Sequence, residues 1–194
     1  MGDEQARAKD EYFVMEPNMS GGMLLAPIPK APNRQSWTVG ARFTAPPALP
    51  IAVKIREGYE SAEPRHFVDV PPILSDELLS ILRAAGVSNL DVYDAVLRSA
   101  DGAVELKGYK AFNLIGLIKA ADLAASTFSP NNPSRFLDAS FDGLVIDANK
   151  VKGVLMFRLA EHTSAVVVHG SIRAAIENAG ITGIEFVQPT QFLS

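Results

Sequence analysis

The 194-residue sequence contains no cysteine. Disulfide frameworks, thiolate nucleophiles and zinc–thiolate centres are therefore excluded, and the absence fits a reducing compartment. Only three histidines are present, His66, His162 and His169, and no two of them have the spacing of metal ligands on a helix or a hairpin. We therefore predict no metal site and no cofactor.

Long apolar runs are also missing, since no segment approaches the ~18 apolar residues that a membrane-spanning helix needs. The first ten residues are charged and polar, unlike a secretory signal. An excess of basic charge is absent too: 18 Lys and Arg against 22 Asp and Glu give a formal net charge of −4. A nucleic-acid binder needs a basic face for the phosphates. We expect a cytoplasmic protein that binds neither membranes nor nucleic acids.

The composition that is present belongs to a folded chain, with 47% hydrophobic and 21% charged residues. The length suits one large domain or two small ones. Proline, glycine and asparagine concentrate between residues 17 and 50, which excludes long central strands there. We predict a proline-rich, β-containing N-terminal lobe over residues 1–74 and an α+β domain over residues 75–194. One continuous domain is the alternative.

Apolar runs predict the strands. Within the stretch Gly143–Phe186, short runs rich in β-branched or large residues predict strands at Leu144–Ile146, Leu155–Leu159 and Ala165–Val168, followed by a last strand at Ile184–Val187. Because Val166–Val168 is continuous and β-branched, we expect it in the interior of a sheet. Earlier in the chain, apolar patterns predict strands at Tyr12–Met15, Trp37–Phe43, Ile51–Ile55, Phe67–Val70, Tyr93–Arg98 and Val104–Ile118.

Two helices are specified by periodicity and by their ends. Ser75–Ala85 has a single apolar face, with Ser75 as N-cap and a glycine after it. Ser171–Ala179 has apolar residues at helical spacing, with Ser171 as N-cap. The predicted fold class is α+β, with a mixed, mostly antiparallel sheet, a few helices packed on it and a C-terminal strand–helix–strand unit. That unit is either a parallel crossover or sends its last strand to an edge.

No complete catalytic motif is present. His169-Gly-Ser171 has the order of a nucleophile elbow, but position 173 is Arg where an elbow requires Gly. Asp147 follows an apolar run and precedes Ala-Asn, a context typical of a turn. A small hydrolase that uses Asp147 and His169 is the alternative function. Arg158 lies in the middle of a predicted strand, and we expect it to pair with a carboxylate.

Several segments of the second half carry a resemblance to a known family. They are Tyr109–Gly116, Asp122–Ser126, Leu144–Asp147, Met156–Leu159, Ala165–Ile172, Ala175–Gly180 and Ile181–Phe186. In this order and spacing they resemble the immunity proteins of bacterial polymorphic toxin systems, in particular the family numbered immunity protein eleven. The resemblance covers about residues 75–194. That family often has a Trp- and Gly-rich N-terminal region, whereas this chain has only Trp37 and a proline-rich stretch there.

The resemblance implies a non-enzymatic inhibitor that binds and blocks a cognate toxin as a heterodimer. Many toxins paired with such families are nucleases, whose basic substrate face suits an acidic inhibitor. Exposed acidic residues on loops are therefore the predicted partner contacts. These are Asp91, Asp94, Asp138 and Asp142.

Overall fold

The computed structural model describes residues 11–130 and 139–194. These residues form two five-stranded sheets, a two-stranded sheet and two α-helices, which confirms the predicted α+β class with mostly antiparallel strands. The strands are β1 (Tyr12–Pro17), β2 (Ile51–Lys54), β3 (Phe67–Val68), β4 (Ile73–Ser75), β5 (Leu90–Arg98), β6 (Glu105–Leu114), β7 (Leu117–Ile118), β8 (Phe128–Pro130), β9 (Ala139–Phe141), β10 (Met156–Leu159), β11 (His162–His169) and β12 (Ile184–Val187). The helices are α1 (Asp76–Ala84) and α2 (Gly170–Asn178).

The first sheet has the strand order β12-β1-β11-β10-β7. Strand β11 lies in its middle, which confirms the interior position predicted for Val166–Val168. Strand β1 is antiparallel to both β11 and β12, so those two strands run parallel to each other with the N-terminal strand between them. The C-terminal strand–helix–strand unit is thus a parallel crossover whose last strand is also an edge. The division of the chain at residue 74 stays a prediction.

The second sheet has the order β2-β5-β6-β4-β3 and is antiparallel except for the β2–β5 pair. It packs against the first sheet through a shared apolar core, and both helices contribute to that core. Successive side chains of a strand point to opposite faces of the sheet, so alternate residues face the shared core and the outer side. Phe13 and Met15 of β1 face the shared core, for example, whereas Val14 faces the other side of the first sheet.

Mostly irregular chain covers the outer face of each five-stranded sheet. Residues 18–50, here called the first cover, bury Met23, Ala31 and Trp37 against the outer face of the second sheet. Residues 119–154 are here called the second cover. Their described parts, residues 119–130 and 139–154, include β8 and β9 and pack against the outer face of the first sheet together with Phe192 from the C-terminal tail. Both sheets are therefore buried on both faces.

Two predicted strands are wrong because their apolar residues belong to these covers. Trp37–Phe43 forms turns and irregular chain, and the Trp37 indole N–H donates to the carbonyl of Pro29 at 3.1 Å. Leu144–Ile146 forms a single bridge, between Ile146 and Ala121, while Leu144 is fully buried. In both segments a short apolar run seals the face of a sheet instead of joining its hydrogen-bond ladder.

The helix boundaries follow the local signals closely. Helix α1 has the predicted cap, since the Ser75 hydroxyl accepts a hydrogen bond from the Leu78 N–H at 3.1 Å. The cap predicted for α2 is wrong: the helix starts at Gly170, and the His169 ring accepts from the Ser171 N–H at 3.2 Å. Neither helix in residues 11–130 and 139–194 has the length and apolar character needed to cross a membrane.

Candidate partner-binding surface

The acidic residues predicted as contacts lie on different parts of the molecule. Asp91 and Asp94 are three residues apart on β5, so the pleat directs them to opposite faces of the second sheet. Asp91 accepts a hydrogen bond from Arg42 of the first cover at 2.6 Å. Asp142 is exposed in the second cover, on the other sheet. Asp138 lies outside the described residues.

Asp94 belongs to a small charge network at the start of α1. Lys110 of β6 donates to Asp94 at 2.7 Å and also lies 3.1 Å from a carboxylate oxygen of Asp76. The hydrogen bond to Asp94 is the main reason that the pKa of Lys110 is raised. The Asp94 side chain is nevertheless 68% exposed, so it is accessible to a partner.

Asp147 and His169, the pair considered for a hydrolase, have separate structural roles. Asp147 accepts from the Asn149 N–H at 3.0 Å and forms an ion pair with Lys150 at 3.5 Å, which fixes the turn predicted there. His169 caps α2 and packs edge-on against Tyr12. No hydrogen bond or ion pair joins these two residues to each other. Across the two described ranges, no group of three His, Asp or Glu side chains is placed to hold a metal ion.

The prediction that Arg158 pairs with a carboxylate is wrong. Its guanidinium is fully buried between the sheets, 5.7 Å from the centre of the Phe112 ring. It donates to the carbonyls of Thr163 and Ser164 at 3.0 and 3.1 Å, and no carboxylate of the described residues lies within 4.0 Å. Backbone carbonyls at the start of β11 thus take the place of the expected acid. Burial lowers the pKa of Arg158 to about 10.

A second buried arginine fixes the start of the first cover. Arg65 donates to the carbonyls of Met23, at 3.1 Å, and of Gly21. Gly22 lies directly against the guanidinium, where a Cβ would approach its carbon to 3.1 Å. Sequence reasoning missed this contact because Arg65 and Met23 are 42 residues apart in the chain.

Exposed apolar side chains concentrate in one region. Among the described residues, six large hydrophobic side chains are exposed, and five of them lie between residues 19 and 70. Met19 and Val70 are the most exposed of these five, at 68% and 61%. The complete set is Met19, Val39, Leu49, Tyr59, Val70 and Leu193.

Two grooves meet at Val70. One has a volume of about 250 Å³ and reaches Met19, and the other has a volume of about 360 Å³ and reaches Ile28 and Trp37. Val70 lines both grooves, so they adjoin at this side chain, and together they are here called the Val70 trough. It is defined by Met19, Leu25, Ile28, Val68, Val70 and Pro71.

The N-terminal of the two chain segments that line the trough is basic. Residues 17–56 contain five Lys and Arg and no Asp or Glu, whereas the remainder of the chain carries 13 basic and 22 acidic residues. Lys30 and Arg56 are exposed and line one groove each, and neither has a described carboxylate within 4.0 Å. Asp69 is the acidic residue among those that line the two grooves.

A family model matches almost the entire chain. The immunity protein family Imm11 matches residues 10–190, which include both sheets and both covers. The predicted resemblance is therefore confirmed, and it extends through the N-terminal region where the sequence pattern was weak. No curated protein matches the sequence.

Proposed function

The chain belongs to the Imm11 immunity protein family, and we propose that it neutralises a cognate bacterial toxin by binding it one to one in the cytoplasm of the producing cell. The observation that carries this proposal is the family match over residues 10–190. Neutralisation then results from occupation of the toxin's working surface, without catalysis by the immunity protein.

The scaffold suits such a role. Both sheets are covered on both faces, and buried arginines fix backbone carbonyls in the first cover and at the start of β11. A surface held in this way loses little conformational freedom when it binds, so more of the interaction energy appears as affinity. Tight binding by a rigid surface is what an inhibitor of a lethal toxin requires.

We propose further that the toxin is a nuclease and that exposed carboxylates assist its capture. Asp94 and Asp142 are exposed, whereas Asp91 is partly buried in its ion pair with Arg42. Asp138 is proposed as a contact on the basis of the sequence alone. Complementary charge chiefly raises the association rate. Replacing Asp94 and Asp142 by asparagine should therefore slow association at low salt and have little effect at high salt.

The test is co-expression with the product of the adjacent reading frame. We expect the wild-type chain to restore growth of cells that express this toxin and to elute with it as a one-to-one complex in light scattering. The proposal fails if the toxin kills equally well in the presence of the chain and the two proteins do not co-purify.

A further inference from the structure

We propose that the Val70 trough is the surface that holds the toxin, and that its occupant is an apolar segment of the toxin flanked by carboxylates. This inference rests on the proposed function and specifies where on the molecule the toxin binds. It adds an apolar contact surface to the acidic contacts predicted from the sequence.

The exposure of apolar side chains supports this choice. Exposed apolar patches on a folded protein mark interaction sites when they are contiguous. Met19 and Val70 are both more than half exposed and line the same depression. In the described residues from 71 to 192, no large hydrophobic side chain is exposed to a comparable degree. The trough therefore offers the kind of apolar centre around which protein interfaces are built.

The basic residues that line the trough specify the occupant. Lys30 and Arg56 are unpaired among the described residues, so their charges are available to a partner. Carboxylates of the toxin on either side of an apolar segment would satisfy them. A second copy of this chain is a poorer occupant, because two troughs placed face to face would bring like charges together.

The walls of the trough are fixed before any partner arrives. Arg65 holds the carbonyls of Gly21 and Met23 behind one groove. Behind the other groove, Trp37 packs edge-on against Phe43 and donates to the carbonyl of Pro29. A preformed site avoids much of the entropy cost of ordering a loop on binding.

The test compares exposed apolar positions inside and outside the trough. Met19→Glu and Val70→Glu place a charge in the trough, and Leu49→Glu is the matched control because Leu49 is 54% exposed and, like Val70, precedes a proline. Leu193→Glu is a second control, far from the trough in the sequence and 70% exposed. The probe is the purified, catalytically inactivated product of the adjacent reading frame, measured by titration calorimetry.

We expect each trough variant to weaken binding by ~30-fold or more, the change in Kd that corresponds to about 2 kcal/mol at a hot spot. The two control variants should bind within about threefold of the wild type. All four should keep the wild-type circular dichroism spectrum and melting temperature, since each replaced side chain is largely exposed. The double variant Lys30→Glu/Arg56→Glu should also bind more weakly, and the salt dependence of its binding should differ from that of the wild type.

The experiment distinguishes a failure of this inference from a failure of the proposed function. If the wild type binds the toxin and both trough variants bind equally well, the trough is not the interface, although the proposed function stands. If the wild type does not bind this toxin at all, the proposed function and the inference fall together. Concentration-dependent dimerisation of the free wild type that Val70→Glu abolishes would identify a second copy as the occupant and overturn the inference.

Discussion

The first cover and the second cover each seal the outer face of one five-stranded sheet with mostly irregular chain, yet their surfaces differ. The first cover contains three basic residues and no acidic one, whereas the second contains four of each. The first cover and the chain directly after it expose five large apolar side chains. The second cover, over its described residues 119–130 and 139–154, exposes none.

This difference indicates which surface features of the first cover are not required for folding. Over its described residues, the second cover buries the face of a sheet without exposing a large apolar side chain, and its sequence carries equal numbers of basic and acidic residues. The exposed apolar side chains and the basic charge of the first cover are therefore not needed to seal the second sheet. A binding role explains both features. We therefore expect substitutions in either cover to lower the stability of the fold, and substitutions in the first cover alone to weaken toxin binding.

The largest expected effect is on stability and applies to both covers. Trp37 in the first cover and Phe141 in the second are 8% and 2% exposed and pack against other aromatic rings. Replacing either by alanine leaves a cavity, so we expect each variant to lose about 3–5 kcal/mol of unfolding free energy. Urea denaturation of the two variants and the wild type measures this loss.

Binding should then separate the two variants. Measured at a temperature where both remain folded, Trp37→Ala should bind the toxin more weakly, because Trp37 lines the trough, whereas Phe141→Ala should bind as the wild type does. Equal loss of binding in both would show that global stability, and not the first cover, sets the affinity.

The next effect concerns the buried arginine of the first cover. Arg65→Met keeps much of the apolar stem but removes the donors to the carbonyls of Gly21 and Met23. We expect a loss of about 1.5–3 kcal/mol, the usual worth of a hydrogen bond from a charged donor. The denaturation midpoint should fall with little change in its slope. A wild-type midpoint would mean that these contacts do not hold the first cover.

The sequence predicts local features of this fold well and its long-range contacts poorly. Helix α1 was predicted correctly because Ser75 lies beside the group it caps. The run Val166–Val168 was placed correctly because a strand with two apolar faces must be interior. By contrast, the sequence of Trp37–Phe43 wrongly predicts a strand. An apolar run has the same sequence pattern whether it pairs with a strand of a sheet or packs on the face of that sheet.

The candidate binding surface likewise depends on long-range contacts that the sequence predicts poorly. The acidic residues chosen from the sequence lie on different faces, because nothing local indicates where the pleat and the covers place them. The trough combines Met19 and Ile28 with Val68 and Val70, about 40–50 residues later in the chain. The basic bias of residues 17–56 was visible in the sequence, and it is the signal that could have identified this region.

A smaller effect is expected at Glu161, which is buried under the second cover at 5% exposure. Its Oε2 atom has no hydrogen-bond partner among the described residues, and burial raises its pKa. The folded state therefore keeps a proton that the unfolded state has lost, and stability falls as the pH rises from the ordinary carboxyl pKa to the raised one. Glu161→Gln removes this dependence.

We expect Glu161→Gln to be more stable than the wild type above that window, because the neutral amide avoids the desolvation cost of a buried carboxylate. Below the window the advantage should disappear. Urea denaturation of both proteins at intervals from pH 4 to pH 8 measures the difference. Parallel stability curves for the two proteins would show that Glu161 is solvated or paired in solution.

The smallest effect is expected at the ion pair that joins the first cover to β5. Arg42 is 68% exposed and lies 2.6 Å from Asp91, and Lys150 with Asp147 is the matching pair of the second cover at 3.5 Å. Exposed pairs contribute about 0–1 kcal/mol, so Arg42→Gln and Lys150→Gln should each cost less than ~1 kcal/mol, and less still in 1 M salt. A loss above ~2 kcal/mol for Arg42→Gln would mean that charge, and not the packing of Trp37, attaches the first cover. Toxin association measured in stopped flow then distinguishes the covers: Arg42→Gln removes a basic charge from the first cover and should change the rate at low salt, whereas Lys150→Gln, in the second cover, should not.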